Sequence, residues 1–496
     1  MAGMRQLFKY KSRSLIVSIV IITIALTTAC NLNDKWEDYY GNTPELANVN
    51  VLNLIKENDN FSSFYNALIE YGFDGMLTKK QYLTVFVPTN SAFEGLPAYT
   101  EDEWKKIIGY HIIYTNLYSR DFKDSDLLTT IGKFLKLRNS GSNGFTISEA
   151  NINMGYVDKY CQNGVIHEID KLLIPKPNVY EYILQLDTSY SIFKDFLVSM
   201  DVRSIDFEKS VRIGVNDNGD AIYDTVWKTE NYYLDNIAAL NDETDEFTGF
   251  IPRDQDVTDA LNSISGYFGD VSEMDEQTYN QVLFIAFNGC FTDNKYTVDI
   301  LPDTITSVTG KKVDKSTLNF RQTDLEVSNG IMHILDGLTI PKSFFLLPIW
   351  IECDLKENRR VSNTTYIVEQ LSDTRASNGT YVKYGCKFVG DYLEFDVPMV
   401  LQTTYWITWT APHQGYAFCQ VFLKDDVTGE FIEIGPPVSN WDEVAWKPRV
   451  SGTYSFEKFG TKTIRFAVVK EYKGAAGYNS IYVDYIKLTP DEIYVP

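Results

Sequence analysis

A chain of 496 residues with 67 acidic and 45 basic side chains carries a formal charge of −22. That balance argues against nucleic acid as a partner, because phosphate binding needs clustered Lys and Arg, and against a body lying flat on anionic lipid. With 44% hydrophobic residues, 33 Tyr and 29 Phe, the chain has material for β-rich cores and is too long for one, so the size prior gives about three domains.

The N-terminus departs from this texture. Arg5, Lys9, Lys11 and Arg13 precede the apolar run Leu15–Leu26, which is too short to span a bilayer and suits a signal-peptide core. "LTTAC" then ends on Cys30 behind Ala29. The arrangement resembles a bacterial lipobox, with Thr27 where that motif has a leucine-like residue. The resemblance implies a signal peptide over 1–30, lipidation of Cys30 as the mature N-terminus and attachment to a membrane by that lipid. Residues 31–35 read as a tether, and Asp34, Glu37 and Asp38 stand where some Gram-negative lipoproteins carry an outward-sorting acidic signal. The localisation so implied is the outer membrane, facing the cell exterior. The other five cysteines, Cys161, Cys290, Cys353, Cys386 and Cys419, lack paired or metal-ligand spacing and read mostly as buried free thiols, with one bridge among the last three left open.

"YLTVFVPTNSAFEGLP" (Tyr82–Pro97) reads as a buried strand ending at Pro88, followed by a helix cap and helix start. An amphipathic helical stretch then leads to Tyr110-His111. "NGVIHEIDKLLIPK" (Asn163–Lys176) closes the segment, its Asn-Gly reading as a turn able to take positive φ. Period-2 alternation sets His167 on the apolar face of that strand, between Val165 and Ile169, where a histidine is expected to be part of the core. In this order the segments resemble a fasciclin-like domain, here spanning 36–176. The resemblance implies an α+β fold, a role in adhesion and, for Tyr110 and His111, the family's adhesion motif. Both are expected to be at least partly buried.

"NGIMHILDGLTIPK" (Asn329–Lys342) repeats the closing phrase, with His333 at the place of His167. Around it, 177–343 read as a second, divergent fasciclin-like domain. Pro252 matches Pro88, "TSVTGKKV" echoes "LTTIGKFL", and Phe287 and Asn288 are expected at the Tyr110 and His111 positions. A polar insertion over about 201–247 reads as a solvated loop, since the ligand pattern of a calcium-binding helix–loop–helix is missing.

From Phe344 the texture turns to short alternating stretches punctuated by Gly, Asn and Asp, which predicts an all-β sandwich over 344–496. Its "GDYLEF" and "VDYIKL" strands resemble a galactose-binding-like jelly roll of carbohydrate-binding modules. In such a scaffold loop aromatics stack on sugar C–H faces, which singles out Trp441 and Trp446, and Tyr472 and Tyr478 flanking "KGAAG". Tyr405, Ile407 and Trp409 alternate within a strand and read as core. Related modules carry a structural calcium held by acids of the first and last strands. Glu352, Asp354 and Asp484 stand near those places, and no other cofactor is expected.

The expected whole is multidomain: two α+β fasciclin-like domains followed by an all-β jelly roll. No phosphate loop, nucleophile elbow or metal-spaced histidine cluster points to catalysis. The function expected is a non-enzymatic surface lipoprotein for adhesion and glycan or glycoprotein capture. The alternative is an accessory subunit of an outer-membrane nutrient importer of the starch-utilisation type, acting through protein contacts. A hydrolase would require acids converging in a cleft of the last domain.

Overall fold

The computed structural model describes residues 49–216, 221–357, 359–415, 417–439, 441, 443–471 and 479–495. The signal peptide, Cys30, the tether, Tyr472 and Tyr478 lie outside the described residues. The chain divides into two compact units, Met1–Pro177 and Asn178–Pro496.

In the first unit a four-stranded sheet runs in the order Ile112–Ile113, Leu83–Pro88, Gly164–Ile169, Lys159–Cys161. Its central pair is parallel, from Leu83 opposite Gly164 to Pro88 opposite Ile169. Both central strands are buried almost throughout, so they read as continuous apolar runs and not as clean alternation. The helices Val51–Lys56, Ser62–Glu70, Asp74–Thr78 and Glu101–Tyr110 supply Val51, Ile55, Phe64, Leu68, Leu77 and Ile108 to one core. A separate antiparallel meander, Ser125–Leu128 to Ala150–Asn151, encloses a second core with Phe86, Ile113 and Ile169.

The repeated Asn-Gly serves close packing. Neither Asn163 nor Gly164 is left-handed. A Cβ on Gly164 would lie 2.4 Å from the Leu83 carbonyl oxygen, so only glycine lets the parallel strands approach. The Asn163 amide accepts from Val51 N (2.9 Å) and donates to the carbonyls of Leu77 (2.7 Å) and Lys79 (2.9 Å), tying a helix N-terminus to a helix C-terminus.

Residues 178–343 repeat this frame. The sheet order Phe291–Asp293, Phe247–Ile251, Gly330–Leu335, Phe320–Val327 again has a parallel centre. Asn329 accepts from Val179 N (2.8 Å) and donates to Leu240 O (3.0 Å) and Asp242 O (2.8 Å), and a Cβ on Gly330 would meet Phe247 O at 2.6 Å. Thr84 and Thr248 both use one hydroxyl to close the loop after the edge strand.

Two expectations are corrected. Phe250 N bonds Cys290 O as Phe86 N bonds His111 O, so Gly289-Cys290 occupy the Tyr110-His111 positions, and not Phe287-Asn288. The helix Glu276–Ala286 runs on into a 3₁₀ turn, Phe287–Gly289, and that turn moves the register by two residues. The insertion is also shorter than 201–247, and it is not a loop. Its described residues, 201–216 and 221–231, form a β-ribbon, after which Tyr233 and Leu240 return to the core.

Residues 349–490 form stacked antiparallel sheets of four, five and three strands around Tyr405, Ile407, Trp409, Phe395 and Phe466, so the alternating Tyr405–Trp409 strand is core. This sandwich shares one continuous apolar core with 178–343. Phe268 meets Phe345 and Phe459 edge-on at 5.3 and 5.0 Å, and Glu492 accepts from Tyr267 Oη (2.5 Å) and Lys342 Nζ (2.6 Å).

Candidate functional site

The strand Phe431–Ser439 and the strand Arg449–Ser455 are joined by the segment that carries both candidate tryptophans. Trp441 is 42% exposed. Its N–H donates to Ser439 Oγ (3.2 Å), its carbonyl accepts from His413 Nε2 (2.5 Å), and the two rings lie 4.9 Å apart. His413 thus holds the Trp441 backbone and packs beside the exposed indole.

Trp446 is turned inward. It adopts φ 63°, in the left-handed region that a bulky side chain seldom occupies, and donates its backbone N–H to Ala411 O (2.9 Å). Its ring meets Tyr381 edge-on at 5.4 Å, with the Arg375 guanidinium 5.3 Å from its centroid. Arg375 is fixed by two bonds to Asp373 (2.9 and 2.7 Å), which hold that carboxyl down at about 2. Among the described residues Trp446 Nε1 has no hydrogen-bond partner. Ala411 O also accepts from Arg449 Nη1 (3.3 Å), whose side chain is buried over Trp409 and leaves Nε and Nη2 unpartnered.

The exposed aromatic rim is thus Trp441 with His413, while Trp446 is half-buried against the buried Tyr381. An exposed indole held by a hydrogen-bonded neighbour can stack on an apolar C–H face. The sequence signalled the two tryptophans. Tyr381 and Arg375 come from a distant strand and turn that no local pattern joins to the tryptophans, while Arg449 opens the strand just after Trp446.

Tyr110 and His111 form no surface. Tyr110 is 7% exposed and donates to Phe134 O (2.8 Å). His111 is fully buried, with Nδ1–H on Ile107 O (2.8 Å) and Nε2 accepting from Leu173 N (3.0 Å), and burial pushes its pKa down to about 4.

Glu352, Asp354 and Asp484 do come near one another, but hydrogen bonds already engage them. Ser377 Oγ lies 2.6 Å from Glu352 and 3.0 Å from Asp484, while Gln370 (2.7 Å) and Thr380 (2.5 Å) donate to Asp354. Burial, together with the neighbouring carboxylates, raises Glu352 and Asp484 above the usual carboxylate range. Among the described residues no group of three acids, histidines or cysteines is placed to hold a metal, so the set does not fit calcium. The five described cysteines form no disulfide, and burial pushes Cys161 and Cys386 to about 12.

A family model for the fasciclin domain matches residues 59–175. That segment is similar to fasciclin domains. Protein sll1483 of Synechocystis is 26% identical over 134 residues, which cover 25% of this chain and 73% of that protein. Human periostin is 31% identical over 137 residues, and porcine transforming growth factor-beta-induced protein ig-h3 is 28% identical over 136. The matched stretch spans only 16% and 20% of those two proteins. Among solved structures, a FAS1 domain pair from the insect cell adhesion molecule Fasciclin I is 17% identical, covering 58% of this chain and 99% of its own, with a TM-score of 0.23. A family 35 carbohydrate binding module from Clostridium thermocellum is also 17% identical, covering 28% and 96%, with a TM-score of 0.20.

Proposed function

We infer that the protein is a non-enzymatic surface protein that captures a glycan or glycoprotein at the Trp441 rim. The exposed Trp441 indole, held by His413, carries this reading. The fasciclin domain over 59–175 serves adhesion or spacing, and 178–343 is a second, divergent copy, supported by the matching roles of Asn163 and Asn329, Gly164 and Gly330, and Thr84 and Thr248. Attachment is through lipid on Cys30 at the exterior face of the outer membrane, supported by the Leu15–Leu26 run and the residues after it.

A glycan array probed with the full chain tests this. Binding to one saccharide class is the expected result, and a folded chain that binds none contradicts it. The full chain is required because the sandwich buries Phe345 and Phe459 against Phe268 of the preceding module.

A further inference from the structure

The ribbon built from residues 201–215 and 221–231 is exposed along most of its length. Asp201–Ile205 pairs with Trp227–Asn231, and Val211–Val215 pairs with Ala221–Asp224. Among the described residues no further strand pairs with either outer edge. Val202, Phe207, Val211, Ile213, Val215 and Trp227 are each 49 to 68% exposed. An isolated two-stranded ribbon is at best marginally stable in water, and open apolar edges invite another strand. The ribbon therefore lacks a partner.

The sequence of the outer edge indicates which one. On the Trp227–Asn231 strand, Lys228 and Glu230 flank Thr229 and share one face. If two copies of this strand pair antiparallel about a twofold axis through Thr229, each Lys228 falls opposite the other copy's Glu230, and both cross-strand pairs are attractive. Within one chain Lys228 Nζ already donates to Glu230 Oε1 (2.7 Å), so the paired strands would set four alternating charges side by side.

The ribbon's root offers a landing place. Met200, the residue before the first strand, lines a groove of about 460 Å³ with Phe284 and the polar side chains of Glu276, Gln277, Asn280 and Gln281. In an antiparallel pair the apolar outer half of each ribbon extends toward the other copy's root.

We propose that this chain forms a homodimer by antiparallel pairing of its 227–231 strands. The occupant of the open edge is a second copy of the same strand.

Sedimentation velocity of the full chain, in mild detergent because of the apolar Leu15–Leu26 run, reads this directly. The chain is expected to dimerise reversibly. Lys228→Glu places like charges opposite each other twice and should weaken dimerisation by about ten-fold or more. Lys228→Glu/Glu230→Lys restores both pairs and should restore the dimer. Both side chains are exposed, and circular dichroism checks that each variant is folded. A chain that stays monomeric at every concentration overturns the proposal, as does a dimer indifferent to the single reversal or one that the double reversal fails to rescue.

Discussion

The backbone N–H of Asp324 donates to Nδ1 of His333 at 3.2 Å. Asp158 does the same to His167 at 3.3 Å. Both aspartates are left-handed, with φ 57° and 53°. Nε2 of each histidine lies against a carbonyl, Tyr296 O at 3.0 Å and Leu117 O at 2.7 Å. A carbonyl can only accept and an N–H only donate, so both rings must be neutral Nε2–H tautomers.

Acid should therefore loosen both modules. Burial depresses the pKa of His111, His167 and His333 in the fold, outweighing the nearby Asp158 and Asp324 carboxylates for the latter two. The unfolded chain takes up protons near pH 6.5 while the folded chain does not, so stability falls as pH drops from about 6.5 toward each depressed value. For His111, held to about 4, the loss reaches about 3 kcal/mol. Urea midpoints measured from pH 7 to pH 4 should fall steadily, and a flat profile would contradict these tautomers.

Glycine at the parallel pair should be irreplaceable. Gly164→Ala and Gly330→Ala force a methyl against a backbone oxygen, at 2.4 and 2.6 Å, and each should cost about 3 kcal/mol. Thermal unfolding of the two variants reads this. Loss of less than a degree in both would contradict the close approach.

Residues 178–496 should unfold as one body. Phe268→Ala removes a ring shared by both halves and should destabilise the unit by about 3 to 5 kcal/mol. A fluorescence signal from the sandwich tryptophans should shift with the same midpoint as the circular dichroism signal of the helices. Separate midpoints would show two independent cores.

How far the sequence discloses this depends on whether a signal is local. The strand around His167 and the alternation of Tyr405, Ile407 and Trp409 are local patterns, and the structure places them as core elements, whereas the helix start expected after Pro88 is a 3₁₀ turn, Asn90–Phe93, with no side-chain cap and no buried residue. Asn163-Gly164 was legible as a repeat, but its reason was not, because the carbonyls it serves at Leu77 and Leu83 are far along the chain. The two-residue shift at Cys290 comes from a 3₁₀ turn with no composition signal. The ribbon read as a loop because its Asp, Asn and Gly turns mask the short apolar strands between them. At the rim, Trp441 stood out by type, whereas its partners are set by tertiary contacts.

The acid cluster should be insensitive to calcium. Its carboxylates already accept from Ser377, Gln370 and Thr380. Glu352→Gln keeps an acceptor for Ser377 and relieves the repulsion that helps raise Glu352, so it should stabilise the sandwich slightly at neutral pH, on the order of 0.5 kcal/mol. Melting with calcium or with chelator should give the same midpoint. A rise of several degrees with calcium would contradict this account.

The most direct test of glycan capture is titration of the strongest array ligand into the full chain and into Trp441→Ala. Because Trp441 is exposed, the substitution should leave the unfolding midpoint within a degree while lowering affinity about ten-fold or more, the loss expected for a stacking ring. Equal affinity in the two proteins would contradict a binding site at this rim.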